Sequence, residues 1–211
     1  DNRWGTFPSV AFAWRINEES FLKENKIISN LKLRASYGIT GQQDGIGNYN
    51  YMPVYTLSQN GAQVQFGDQW YYSYRPEAYV EDRKWETTTS WNFGLDFGLL
   101  KDRISGSVDF YTRQTKDLLA TVPSPAGSNF NKNILTNVGN VDSHGIEFSL
   151  NATPIDTKDF TWDFSYNMTW QKMKVKNLSL VDGGAATNTL VGPTIDSYHF
   201  QVLSEGYAPY M

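Results

Sequence analysis

From Phe160 to Gln171 the chain alternates without a break, with Phe160, Trp162, Phe164, Tyr166, Met168 and Trp170 set against Thr161, Asp163, Ser165, Asn167, Thr169 and Gln171. A period of two describes a strand with one apolar and one polar face. Strands of soluble sandwiches run about 5 to 6 residues. A dozen alternating residues suits a tilted strand that crosses a bilayer, which needs roughly 9 to 11. The run therefore confines the fold to an antiparallel sheet with a broad apolar face.

Five more segments share the period. In Ser9 to Ile16, Val10, Phe12, Trp14 and Ile16 share a face; in Leu31 to Thr40, Leu31, Leu33, Ala35, Tyr37 and Ile39 do. Trp91 to Leu99 sets Trp91, Phe93, Leu95, Phe97 and Leu99 against Asn92, Gly94, Asp96 and Gly98. Ile104 to Arg113 sets Ile104, Val108 and Phe110 against Ser105, Ser107, Asp109 and Arg113, and Gly145 to Ala152 sets Ile146, Phe148, Leu150 and Ala152 against Glu147, Ser149 and Asn151. About six long strands are expected. Helical periodicity is confined to Glu18 to Glu24, where Asn17 is a candidate N-cap. Connectors alternate in length: about a dozen residues at Asn17 to Asn30, long at Gly41 to Lys84, tight at Leu100 to Arg103, long at Gln114 to His144, short at Thr153 to Asp159, and long again from about Val175. In a meander this puts the short connectors at one end and the long ones at the other, the asymmetry of outer-membrane barrels.

Two readings fit alternation, a soluble sandwich and a transmembrane barrel. Aromatic residues near strand ends, Trp14, Trp91, Trp162 and Trp170, suit girdles at the headgroup level. The polar faces carry Arg34, Asp96, Asp109, Arg113, Glu147 and Asp163, costly in a dry core and natural in a watery lumen. The barrel is the favoured reading, with those six residues facing the lumen. Trp14, Trp91, Phe93, Phe97, Phe110, Phe148, Trp162, Phe164 and Trp170 then face lipid. A soluble β-sandwich carbohydrate-binding module is the alternative. Six strands cannot close in lipid, where open edges leave backbone groups unpaired and the smallest single-chain barrels have about eight strands. Residues 1–211 are thus expected to be one partial barrel domain, a sector of a larger barrel, and both ends look cut.

Several runs resemble, in order and spacing, the C-terminal half of the barrel in the SusC/RagA family of TonB-dependent outer-membrane transporters. They are Asn2 to Arg15 (NRWGTFPSVAFAWR), Ile28 to Gln42 (ISNLKLRASYGITGQ), Lys84 to Thr88 (KWETT), Trp91 to Gly98 (WNFGLDFG), Asp109 to Leu119 (DFYTRQTKDLL), Asn137 to Asn140 (NVGN) and Gly145 to Phe148 (GIEF). The resemblance implies an all-β, 22-stranded barrel in the outer membrane, with an N-terminal plug, energised through TonB and capped by a SusD-like surface lipoprotein. The cargo it implies is an oligosaccharide or a peptide. The plug, the TonB-contacting segment and the closing strand are not expected in these residues.

The densest aromatic cluster in an expected extracellular segment is Trp70, Tyr71, Tyr72 and Tyr74, with Tyr49 and Tyr51 nearby. Such rings stack on sugars or pack on a partner protein. The competing account is that they pack the loop on itself. Other chemistry finds little support. The chain has no cysteine, and His144 and His199 stand alone without metal-ligand spacing. Gly45-Ile-Gly47 lacks the Lys-Ser/Thr and helix of a phosphate loop. Asp96 and Asp109 invite comparison with a glycosidase carboxylate pair, but an acid-lined lumen explains them more simply. The sequons at Asn151, Asn167 and Asn177 fall on or beside strands and carry no meaning in a bacterial outer membrane. Neither a cofactor nor a metal is expected, and no enzyme activity. With 18 Lys plus Arg against 22 Asp plus Glu, net −4, no basic surface for nucleic acid is expected either.

Overall fold

The structure, a computed structural model, describes residues 4–44, 46–47, 52–58, 61–124, 127, 133–178, 189–195 and 198–209. Six long strands form one antiparallel meander: β1 (Ser9–Arg15), β2 (Ile28–Gln42), β7 (Glu86–Leu99), β8 (Ile104–Lys116), β11 (Asn140–Asp156) and β12 (Thr161–Asn177), in the order β1-β2-β7-β8-β11-β12. The eight short strands between and after them are paired in two-stranded ladders: β3 (Tyr55–Leu57) with β6 (Tyr74–Pro76), β4 (Gln63–Phe66) with β5 (Gln69–Tyr72), β9 (Leu119–Pro123) with β10 (Asn133–Asn137), and β13 (Thr189–Ile195) with β14 (Tyr198–Leu203).

Most of the long strands outrun their alternation: β7, β8 and β12 toward the long connectors, and β2 and β11 at both ends. β7 starts five residues before Trp91, through Glu86-Thr-Thr-Thr-Ser90. These are β-branched and polar residues that favour extended backbone. Where both faces of a ribbon are wet, pairing continues although the apolar period has stopped.

The helix expected at Glu18 to Glu24 is corrected. A single 3₁₀ turn covers Ile16–Glu18, with Arg15 at the N-cap position making no side-chain cap, and Glu19 to Asn25 is a run of turns. Asn17 does not cap it; its Oδ1 accepts from the Leu31 amide at 3.2 Å, tying the connector to β2. The Leu100–Arg103 turn is as tight as expected, with Leu100, Lys101 and Asp102 all at positive φ. That backbone is costly for non-glycine residues. It is held from outside: the Leu100 amide donates to the Ile27 carbonyl at 2.7 Å, and Ser29 Oγ donates to Asp102 Oδ1 at 2.7 Å.

Register puts the apolar stripes of the alternating runs on one side. One row reads Phe12, Ala35, Phe93, Phe110, Ile146 and Trp170 across the six strands. No second sheet covers that face among the described residues. Trp162 is 51% exposed, Phe164 43% and Phe93 50%. The buried apolar cluster is small and lies at the long-connector end, Val141, Val175, Leu178 and Leu203 with Leu118 against it. A water-soluble chain of this length buries most of its large apolar side chains; this one displays them, so the sandwich reading fails. Past β14, the Gly206 amide donates to the Val175 carbonyl and the Val175 amide to the Tyr207 carbonyl, so the chain returns to the outer edge of β12.

Candidate functional site: the polar wall and the long hairpin

The polar face is organised around Arg34. Register sets Arg34 beside Gly94, and Gly94 beside Asp109. With no side chain between them, the guanidinium spans a whole strand. Its Nε and Nη2 donate to Asp96 Oδ2 and Oδ1 at 2.9 and 2.7 Å, and Nη2 donates to Asp109 Oδ2 at 3.0 Å with Nη1 3.0 Å from Oδ1. Both oxygens of both carboxylates are taken by one planar fork, the geometry for which arginine is suited. A Cβ at Gly94 would come 2.5 Å from Asp109 Oδ1 and 2.7 Å from Arg34 Cζ, so any larger residue displaces the ends of this ion cluster. The Arg34, Asp96 and Asp109 cluster thus braces three strands, with all four carboxylate oxygens held by one guanidinium.

The other three polar-face residues lie on the same side. Glu147 is exposed and pairs in register with Asp109. Arg113 lies 4.8 Å over the Tyr111 ring, and Asp163 accepts from Thr153 Oγ1 at 2.7 Å. Tyr111 itself, passed over in the sequence, is buried on this face against Gly145. Its odd number, shared with Asp109 and Arg113, was the available signal. The nine residues expected to face lipid occupy the opposite face, in register with one another. Trp91 tilts against Tyr37 at 4.5 Å, His144 lies 5.9 Å from Trp170, and Trp14 Nε1 donates to Glu19 Oε1 at 2.8 Å.

The long connector from β2 to β7 is a projecting β-hairpin. Ser73 joins its two ladders: the Ser58 amide donates to the Ser73 carbonyl, and the Ser73 amide and Oγ both donate to the Ala62 carbonyl. The tip turns at Gly67, φ +63°. Trp70 stands opposite Gln65 and Tyr72 opposite Gln63 on one face, while Tyr71 stands opposite Val64 on the other. Tyr74 stands opposite Leu57 in the second ladder. Trp70, Tyr71, Tyr72 and Tyr74 are 60%, 55%, 47% and 66% exposed, so their rings are presented outward. Tyr49 and Tyr51 lie outside the described residues, as does Gly45.

At the root of this hairpin is a clamp the sequence did not reveal. Asn137 Oδ1 accepts from the Lys84 amide at 2.7 Å, and its Nδ2 donates to the carbonyls of Lys84 and Asp117 at 2.8 and 2.7 Å. Glu86 Oε1 accepts from the Leu119 amide at 2.8 Å, and Arg83 Nη2 donates to the Leu135 carbonyl at 2.9 Å. Burial pushes the Arg83 pKa below its ordinary value, partly offset by Tyr79. The β2–β7 and β8–β11 connectors are thereby fastened together. Among the described residues no group of three His, Asp or Glu is placed to hold a metal.

Residues 1–199 match the family described as TonB dependent receptor-like, beta-barrel. TonB-dependent receptor SusC of Bacteroides thetaiotaomicron is 52% identical over 179 residues, 85% of this chain and 18% of that protein. TonB-dependent receptor P39 of Formosa agariphila is 40% identical over 87% of this chain and 17% of its own length. Among solved structures, the RagAB peptide importer in its open-open state superposes with a TM-score of 0.76 at 30% identity, over 95% of this chain and 20% of that one. The chain spans about a fifth of the length of the curated relatives it matches. A six-stranded sheet with an uncovered apolar face, a charged opposite face and long connectors at one end is a sector of a larger outer-membrane barrel, and the chain belongs to the TonB-dependent receptor-like β-barrel family.

Proposed function

We propose that these residues form part of the wall of an importer that takes up an oligosaccharide across the bacterial outer membrane. It draws energy through TonB and works with a SusD-like surface lipoprotein. The observation that carries this reading is the two-sided sheet. From Phe160, just before β12, to Trp170 the outward stripe advances ten residues; at ~3.3 Å per residue and a tilt of about 40° it spans ~25 Å, the height of the apolar band of such barrels. The Phe164 side meets acyl chains, and the side of Arg34, Asp96, Asp109, Arg113, Glu147 and Asp163 meets the lumen. Its charged groups brace the wall, and it is not an enzyme active site.

The hairpin of Trp70, Tyr71, Tyr72 and Tyr74, with Tyr49 and Tyr51 earlier in the same connector, is the proposed contact surface for cargo or lipoprotein. Trp70 and Tyr72 each stand across from a glutamine. A flat ring beside an amide suits the apolar face and hydroxyls of a sugar. A peptide cargo is the second reading, favoured by the peptide import named for the RagAB structures.

Uptake by cells carrying the intact transporter and its lipoprotein, measured against glycan and peptide panels, tests the proposal. Uptake of a glycan, reduced by Trp70→Ala with Tyr72→Ala, is expected. Uptake of peptides alone favours the second reading, and uptake that persists without TonB contradicts both.

A further inference from the structure

Beyond Trp170 the outward positions of β12 change character. Lys172, Lys174 and Lys176 take the next three even-numbered places, all exposed. Lys172 pairs in register with His144, and Lys174 with Asp142. Lys116 ends β8 on the same face, two residues past Gln114, which pairs with Asp142. The one carboxylate among them, Asp142, already lies 3.3 Å from Lys176 Nζ and accepts from Gln114 Nε2 at 3.2 Å. Four ammonium groups therefore share one acid. The corresponding outward positions of β7, Thr87 and Thr89, carry no charge, so the excess is local to β8, β11 and β12.

Depth fixes what this patch meets. Successive outward residues are ~7 Å apart along a strand. With a tilt of about 40°, Lys172 and Lys174 stand ~5 and ~10 Å above Trp170. The headgroup region adds roughly 5 to 8 Å to each side of the hydrocarbon. The long connectors mark this end as extracellular. Lysines there carry their ammonium groups out of the hydrocarbon and attract anionic headgroups.

We propose that the Lys172, Lys174 and Lys176 ladder binds the phosphate groups of the outer-leaflet glycolipid, fixing a lipid against β12. The proposal rests on the reading of the sheet as a barrel sector. Three donors on each ammonium, repeated along the strand, engage phosphate oxygens without demanding one fixed geometry.

The test uses the full-length transporter with its lipoprotein, purified in detergent and exposed to lipid A or to enzymatically dephosphorylated lipid A. Bound lipid is read by native mass spectrometry. The combined Lys172→Gln, Lys174→Gln and Lys176→Gln variant is expected to retain about tenfold less lipid A, the triple Arg variant to retain it, and the unaltered protein to bind dephosphorylated lipid as weakly as the Gln variant does lipid A. Equal binding of the two lipids by the unaltered protein, or full retention by the Gln variant, overturns the proposal. Loss of the lipoprotein from the Gln variant with lipid retained overturns it in favour of a protein partner. Heat-modifiable gel migration separates the two claims: its absence in the unaltered protein sinks the barrel reading, whereas its persistence alongside undiminished lipid in the Gln variant sinks only this one. Should the Gln variant fail to assemble, the two lipids on the unaltered protein still decide.

Discussion

Replacing Phe164 by arginine separates a membrane wall from any soluble sheet. Phe164 lies on the outward stripe of β12, six residues below Trp170 and four above Phe160. At ~3.3 Å per residue and a tilt of about 40°, that is ~15 Å from one edge of the apolar band and ~10 Å from the other, close to the midplane. Arginine there is expected to cost about 2–4 kcal/mol, roughly a 30- to 700-fold fall in the ratio of assembled to unassembled barrel. Asn167, three residues along the same strand, points to the opposite face, and its replacement by arginine is expected to change stability by no more than about 0.5 kcal/mol. The assay is the heat-modifiable fraction of the full-length protein recovered from outer membranes, confirmed by denaturant titration in liposomes. On a water-exposed face, Phe164→Arg costs almost nothing. Equal tolerance of the two arginines would refute the reasoning, whatever the family of the chain.

Other outcomes follow from the polar wall and the loop clamp. Arg34→Leu leaves Asp96 and Asp109 facing each other without a cation; the expected loss is about 1–2 kcal/mol in the same titration, below the ~3–5 kcal/mol of a fully buried pair because a third of the side chain is exposed. Gly94→Val drives a side chain into the Arg34 guanidinium and is expected to cost about 1–3 kcal/mol, mostly absent when Arg34→Leu is already present. Asn137→Ala removes three hydrogen bonds to backbone and should raise hydrogen exchange and proteolysis around Asp117 and Lys84; Asn137→Asp, which keeps only the bond from the Lys84 amide, should fall between.

Much of the wall is legible in the sequence because each long strand sets its apolar residues at one parity and its polar residues at the other. Asp96, Asp109, Arg113, Glu147 and Asp163 follow from numbering alone, as do Phe93, Phe110 and Trp162. What the period does not carry is the third dimension of the polar face. That Arg34 reaches over Gly94 to Asp109 depends on register between strands sixty residues apart in sequence, which no local pattern encodes. The connectors are harder still. The ladders Tyr55–Leu57 with Tyr74–Pro76 and Gln63–Phe66 with Gln69–Tyr72 are short and wet on both faces, so their apolar residues show no clean alternation. The Asn137 clamp is a side chain imitating a strand neighbour, invisible until Lys84 is known to pass beside it. The helical reading at Glu18 to Glu24 fails because a run of Glu, Ser, Phe and Leu residues satisfies a helical period without enough length to nucleate one.

The most direct test of the wall is a scan of single introduced spin labels from Thr161 to Gln171 in the full-length protein, reconstituted in liposomes. Collision rates with oxygen and with a water-soluble nickel chelate are measured at each site. The expected result is a period of two, with positions 162, 164, 166, 168 and 170 favouring oxygen and the odd positions favouring nickel. Uniform nickel access, or uniform protection from both reagents, contradicts a sheet that stands between acyl chains and a water-filled passage.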